Sequence, residues 1–165
     1  MCFILVDLIK ENKKIQIAFA ILVFVVLIII FNFSNQNGEK SEGLSQEISR
    51  QIAGILRLDE GLTDDELQVL IGKIDHIIRK LAHFCIYTLL GIVLMLFLST
   101  TNLTNKKRIL IAIVFGLLYA ASDEIHQVFI SDRIARVSDV LIDTLGVMFG
   151  IFIVSFIKKI KAPNQ

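Results

Sequence analysis

Lys80, His83 and Tyr87 stand at i, i+3 and i+7, so on a helix an ammonium, an imidazole and a phenol share one face over two turns. His76 extends that stripe by a further turn. Tyr119, Asp123 and His126 place a phenol, a carboxylate and an imidazole along a second face, with Glu124 and Gln127 beside them. Asp139, Asp143, Gly146 and Gly150 form a third stripe, acidic in its first half and small in its second. Arg133 and Arg136 lie in the short segment between the last two stripes. The types present suit two chemistries. Lys80, Arg133 and Arg136 can hold a phosphate or carboxylate, whereas His83 or His126 set against Asp123, Glu124 or Asp139 can move a proton. The nitrogen and oxygen donors also suit a metal by type, but Asp123-x-x-His126 is a short signature and the neighbouring cations oppose a further positive charge. No metal is therefore assigned. Ser122 with His126 imitates a nucleophile pair, yet the two are one helical turn apart and no nucleophile elbow surrounds them.

The elements that position these groups are membrane spans. Of the 165 residues, 55% are hydrophobic, above the ~45–50% of soluble domains, which argues against a soluble globular protein. A formal charge of +1 supplies no basic field for nucleic acid. Residues 15–33 form an uncharged run of 19, close to the ~20 that a helix needs to cross a ~30 Å hydrocarbon core. No small-x-small cleavage pattern follows it, so it reads as a retained span. Residues 81–101 form a second span. Only 14 uncharged residues separate Arg108 from Asp123, and 14 separate Asp143 from Lys158. Spans of full length require a third helix over 108–126 and a fourth over 139–157, which puts charges at membrane depth.

Lys10, Lys13 and Lys14, then Lys106, Lys107 and Arg108, then Lys158, Lys159 and Lys161 flank the spans on one side of such a model. The positive-inside rule makes that side, and both termini, cytoplasmic. Cys2 and Cys85 should not meet in an oxidising compartment, so no disulfide is expected. The outer segment, 34–79, carries two amphipathic helices. Leu44, Ile48, Ile52, Ile55 and Leu56 recur at helical spacing, and Thr63-Asp64-Asp65-Glu66 opens a second helix with a capping-box pattern. Asp59, Glu60 and Gly61 mark the break, and the second helix should run into the second span near Lys80. The expected fold is all-α, an integral membrane four-helix bundle with two amphipathic helices between spans 1 and 2, in one domain over 1–165.

Ionisable side chains inside spans cost ~2.5–3.5 kcal/mol each on the insertion scale and face a protein interior or wet cavity where they pair. Lys80, Arg133 and Arg136 set against Asp123, Glu124, Asp139 and Asp143 point to one outer-leaflet pocket shared by three helices. Each piece also has a structural reading. Lys80 and Arg133 suit snorkelling to headgroups, Asp143 with Arg136 suits an ion pair that locks two helices, and Gly146-x-x-x-Gly150 suits a close packing face.

Arg79-Lys80-Leu81-Ala82-His83-Phe84 with Tyr87 and Gly91, then Ser122-Asp123-Glu124-Ile125-His126-Gln127-Val128-Phe129, Arg133, and Asp139 to Asp143 with Gly146 and Gly150, resemble the VanZ-like membrane proteins. Phe33-Ser34-Asn35-Gln36 is similar to the Ser-Ser-Gln pattern that the family places at the end of its first span, with Asn35 in place of the second Ser. The segment Ile130-Ser131-Asp132-Arg133 lacks the Pro-Gly often found there. The resemblance implies a small bacterial cytoplasmic-membrane protein with helices gathered around the polar motifs, and a link to low-level resistance to the glycopeptide teicoplanin. It brings Ser34, Gln36 and Gln127 into the candidate binding set.

Two classes of function fit. One is a binding protein that engages an envelope ligand with an anionic head, such as a lipid-linked cell-wall precursor, through Ser34, Gln36, Lys80, Tyr87, Gln127, Arg133, Arg136, Asp139 and Asp143. The other is a membrane transferase or hydrolase with His83, Asp123, Glu124 and His126 as the candidate catalytic groups, His83 or His126 acting against Asp123 or Asp139. Transport would need a polar stripe running inward past Asp143 or Tyr87, and none does. The residues identify no cofactor; the lipid bilayer is the one partner that composition alone implies.

Overall fold

The computed structural model describes residues 13–35, 38–58, 61–129 and 136–161. Five helices account for nearly all of them: α1 (Lys13–Ser34), α2 (Gly38–Ile55), α3 (Asp64–Ser99), α4 (Asn105–Gln127) and α5 (Val137–Lys161). No strand occurs among the described residues. Helices α1, α3, α4 and α5 are each long and apolar enough to cross a membrane, and the chain is a multi-pass membrane protein. The expected spans at 15–33, 108–126 and 139–157 each fall on one of these helices, and that at 81–101 falls on α3 except for its last two residues, which lie beyond Ser99.

The lipid-facing surface follows from the sequence of α1. Its buried positions, Val26, Ile30 and Ser34, form one stripe four residues apart, while Ile17, Ile21, Phe24, Ile28 and Phe31 are exposed. A helix apolar all round with one buried stripe is peripheral to its bundle and wetted by lipid on its other faces. The Tyr119 hydroxyl fastens α4 to this helix by donating to the Leu27 carbonyl at 2.8 Å.

Helix α3 is the centre. It supplies Tyr87, Leu90, Val93, Leu94, Met95 and Leu98 to the core, against Val147, Ile151 and Val154 of α5 and Ala112 and Ala120 of α4. Its closest neighbour is α5, because glycine removes the side chain where the two axes cross. A Cβ at Gly146 would lie 2.6 Å from the Phe84 carbonyl oxygen, one at Gly150 would strike the Thr88 carbonyl, and one at Gly91 would strike the Val147 carbonyl. Small residues that let backbones approach are a main source of association between helices in lipid, where apolar burial favours no partner over the acyl chains.

The second amphipathic helix and the second span are one continuous element. At 36 residues, α3 is about 54 Å long at 1.5 Å per residue, well beyond a ~30 Å hydrocarbon core. Its first four or so turns therefore project past the membrane. The start is capped: Thr63 N–H donates to Glu66 Oε2 at 2.9 Å while Glu66 N–H donates to Thr63 Oγ1 at 3.4 Å. Thr63→Ala should cost about 1 kcal/mol locally, seen as faster amide hydrogen exchange in the first turns of α3 with the spans unaffected.

Helix α2 returns along this projecting part of α3, and its inward face differs from the apolar one that periodicity picks out. Ser45, Ser49 and Ala53 are buried, whereas Ile48, Ile55 and Leu56 are exposed. Small side chains four residues apart let α2 lie close to α3, with the Ser49 hydroxyl satisfied by the Ser45 carbonyl at 2.7 Å. Ile48 and Ile55 then point outward, and Ile52 is half-buried. Gly61, at φ +81°, makes the turn into α3; Asp59 and Glu60, the rest of the expected break, lie outside the described residues. Cys85 is a free, exposed cysteine on α3, and Cys2 lies outside the described residues.

Candidate functional site

Three of the spans bring ionisable side chains to the same end of the bundle, and α1 closes one side. On α3, two turns of helix carry Lys80, His83 and Tyr87. Lys80 Nζ lies 3.9 Å from Asp139 Oδ1 of α5, and His83 Nδ1 lies 3.4 Å from Asp143 Oδ1. Each of these pairs joins α3 to α5 one turn apart, at the mouth of the glycine crossing. Their exposure is graded. The Lys80 and His83 side chains are each 34% exposed and Asp139 is 29% exposed, whereas Asp143 is fully buried. The cluster has an open rim and a closed floor.

Helix α4 completes the floor. Asp123, Glu124 and Gln127 are all buried, and Gln127 Nε2 donates to Asp123 Oδ2 at 3.2 Å. Tyr87 is wholly buried, with Asp123, Asp143 and Tyr119 as its polar neighbours. Glu124 Oε2 accepts the backbone N–H of Arg136 at 2.9 Å, which ties the end of α4 to the residue just before α5. The His126 ring stacks on Phe31 of α1, centroids 5.0 Å apart, and Ser34 is buried one turn further along α1.

Several buried polar atoms of this cluster have no hydrogen-bond partner among the described residues: both carboxylate oxygens of Asp143, Glu124 Oε1, the Tyr87 hydroxyl, Ser34 Oγ, His83 Nδ1 and His126 Nε2. Buried polar groups are rarely left unsatisfied, because each costs about 1–3 kcal/mol. Their concentration on four helices makes this cluster the candidate site. Among the described residues no group of three or more His, Cys, Asp or Glu side chains is placed to hold a metal ion.

Three pairings differ from what residue types alone suggested. Asp143 lies against His83, not Arg136. Arg136 serves Glu124 through its main chain while its side chain stays exposed, because a loop residue entering a helix has a free N–H to give. The carboxylate nearest His83 is Asp143, not Asp123 or Asp139. The Ser122 hydroxyl is exposed and donates to the Tyr119 carbonyl at 2.7 Å, which removes the nucleophile-pair geometry. Gln36 and Arg133 lie outside the described residues. Phe31 was not singled out from the sequence; an aromatic one turn before Ser34 in an apolar run carries no distinguishing signal.

A four-span bundle with an ionisable cluster at one end of its helices, organised on a glycine crossing, defines a class of polytopic membrane protein rather than a soluble enzyme fold. The chain matches the family model described as VanZ/LLP1 over residues 19–158, a stretch that contains every residue of the cluster, and it belongs to that family. Comparisons with curated proteins and with solved structures each returned no match.

Proposed function

We propose that the chain engages an amphiphile of the cell envelope at this cluster, a lipid-linked cell-wall precursor in particular, from the outer face of the bacterial cytoplasmic membrane with both termini cytoplasmic. The observation that carries the reading is the graded cluster itself: a partly exposed rim of Lys80, His83 and Asp139 over a buried floor in which both Asp143 oxygens and Glu124 Oε1 have no donor among the described residues. The rim cation Lys80, with the exposed Arg136 beside the start of α5, suits a phosphate. The floor, rich in acceptors, suits the hydroxyl and amino groups of a sugar or peptide head. A precursor that joins a polyprenyl tail to such a head through phosphate presents both features in the order that rim and floor require. The location of Lys106, Lys107, Arg108, Lys158 and Lys159 at the opposite ends of the spans supports the outer placement of the cluster. A contribution to teicoplanin resistance is the cellular consequence that this reading assigns.

The test is binding of a polyprenyl-diphosphate-linked disaccharide peptide to the purified chain in nanodiscs. Lys80→Gln should weaken binding by about ten-fold or more, since a hydrogen bond to a charged group contributes ~1.5–3 kcal/mol. Equal affinity for the polyprenyl phosphate lacking the head, or no change in Lys80→Gln, would sink the reading.

One observation favours a second reading, a transferase or hydrolase. His83 turns Nδ1 toward buried Asp143 while its ring reaches the rim, the relation in which a carboxylate orients an imidazole for general acid or base work. Under that reading His83→Gln abolishes turnover while ligand binding survives; under simple binding it leaves a graded defect.

A further inference from the structure

The opposite end of the bundle carries a second gathering of polar side chains, which the reading above uses only to orient the bundle. Helix α3 ends there at Ser99, α4 begins at Asn105 and α5 finishes at Lys161. Arg108 Nη2 of α4 donates to the Thr101 carbonyl at 2.7 Å, and Lys158 Nζ of α5 donates to Ser99 Oγ. A guanidinium and an ammonium from different helices thus close on the end of α3, at Ser99 and at Thr101 just beyond it, each the other's charged neighbour.

Nothing in these helices balances them. The acids of α3 lie at 64–66 and 75, those of α4 at 123–124 and those of α5 at 139 and 143, all toward the other end. The carbonyl end of α3 offers about half a negative charge, which offsets one cation in part and two not at all well. Two polar atoms of the same region, Arg108 Nε and Ser155 Oγ, are buried without a partner among the described residues, and Ser155 stands one turn before Lys158. Lys158 commits one of an ammonium's three donors to Ser99, and Arg108 one of five to Thr101, so most of their hydrogen-bonding capacity is uncommitted to these two acceptors. Ile111, one turn from Arg108, and Ile157, next to Lys158, are exposed apolar residues on bilayer-crossing helices. An anion seated here therefore belongs to a molecule with hydrocarbon attached.

We infer that Arg108 and Lys158, with Ser155, form a binding site for the phosphodiester head of an anionic phospholipid at the membrane face opposite the ionisable cluster. The site bridges α3, α4 and α5 at their inner ends, so an occupied site draws together three helices whose other ends carry the cluster. It differs from general attraction of basic residues to an anionic leaflet in that two named side chains, held by specific acceptors, converge on one place.

Native mass spectrometry of the full chain released from detergent, titrated with phosphatidylglycerol or with phosphatidylcholine of the same acyl chains, tests this. Wild type should retain phosphatidylglycerol in preference. Lys158→Gln and Arg108→Gln should each weaken that retention about five-fold, the equivalent of ~1 kcal/mol for a cation near an anionic lipid surface. Lys107→Gln, which removes the same charge from the adjacent exposed position, should change it by less than about two-fold. Lys158 is exposed, so its variant keeps the test informative if Arg108→Gln fails to fold. Equal retention of phosphatidylcholine overturns the inference, as does an equal loss in Lys107→Gln, which would reduce the effect to bulk charge. Displacement of the lipid by millimolar inorganic phosphate also overturns it, because the site would then take a soluble anion.

Discussion

Gly150→Leu should remove nearly all folded protein from the membrane. The position faces the Thr88 carbonyl and the backbone of Ile92 on α3, and neither can rotate away as a side chain can. Overpacking against side chains costs ~1–3 kcal/mol; here the two helix axes must separate, which also withdraws Val147 from Gly91 and opens the contact at Gly146. The cost should reach or exceed the upper end of that range. In lipid no hydrophobic gain elsewhere restores the pair. Gly116→Ala is the internal comparison, because the atoms nearest to its added methyl belong to the Val147 side chain, at 2.7 Å, and not to a backbone; Val147 is buried and stiff at χ1, so α4 must shift slightly, and a loss of about 1–3 kcal/mol is expected. The checks are membrane abundance, monodispersity in mild detergent and the midpoint of unfolding by a denaturing detergent. Wild-type values for Gly150→Leu would show that the crossing is not what holds the bundle. The same crossing sets the geometry of the cluster, since Gly146 is three residues from Asp143 and rests on Phe84, the neighbour of His83.

What could be read from the chain divides along a physical line. Hydropathy and length located the four spans, and the VanZ-like motifs located the family, because both are local properties of consecutive residues. Helical periodicity also put Lys80, His83 and Tyr87 on one face of α3. It carries no information on how α5 is rotated about its own axis, and so could not say whether His83 meets Asp139, Asp143 or neither. The glycines fix that rotation, through contacts with carbonyls that no residue type reveals. Arg136 is the same lesson at a loop. Its guanidinium drew attention as a cation, yet the group that bonds Glu124 is a main-chain N–H that almost any residue would supply. Helix α2 shows the converse. Its large apolar residues suggest a buried stripe, but the closest packing onto α3 selects Ser45, Ser49 and Ala53, leaves Ile52 half-buried and turns Ile48 and Ile55 out.

His83→Ala, Asp123→Ala and His126→Ala should each return teicoplanin susceptibility to that of a host lacking the gene, at matched folded abundance and where the wild-type gene measurably changes it. The three residues sit differently, which makes the comparison informative. His83 reaches the rim, so its removal deletes a contact or proton-transfer group while costing little packing; its pair with Asp143 spans 3.4 Å without an aligned hydrogen bond. Asp123 is buried and accepts from Gln127, so Asp123→Ala strands an amide and should cost about 1–3 kcal/mol of stability besides its effect on the site. Asp123→Asn, which preserves shape and hydrogen-bonding capacity, separates the two effects. His126 stacks on Phe31, and Phe there should preserve packing while deleting both ring nitrogens. If His126→Phe and Asp123→Asn retain the phenotype while the alanine variants lose it, those two residues hold α1 and α4 in place and the ligand-facing role contracts to His83 and Lys80. If His83→Ala retains it as well, the cluster is a packing device and the proposed engagement of an envelope lipid fails. Loss in all conservative variants at unchanged abundance would extend the functional surface from the rim to the floor, and His83→Gln then decides between acid–base chemistry, with total loss of turnover, and binding, with a graded one.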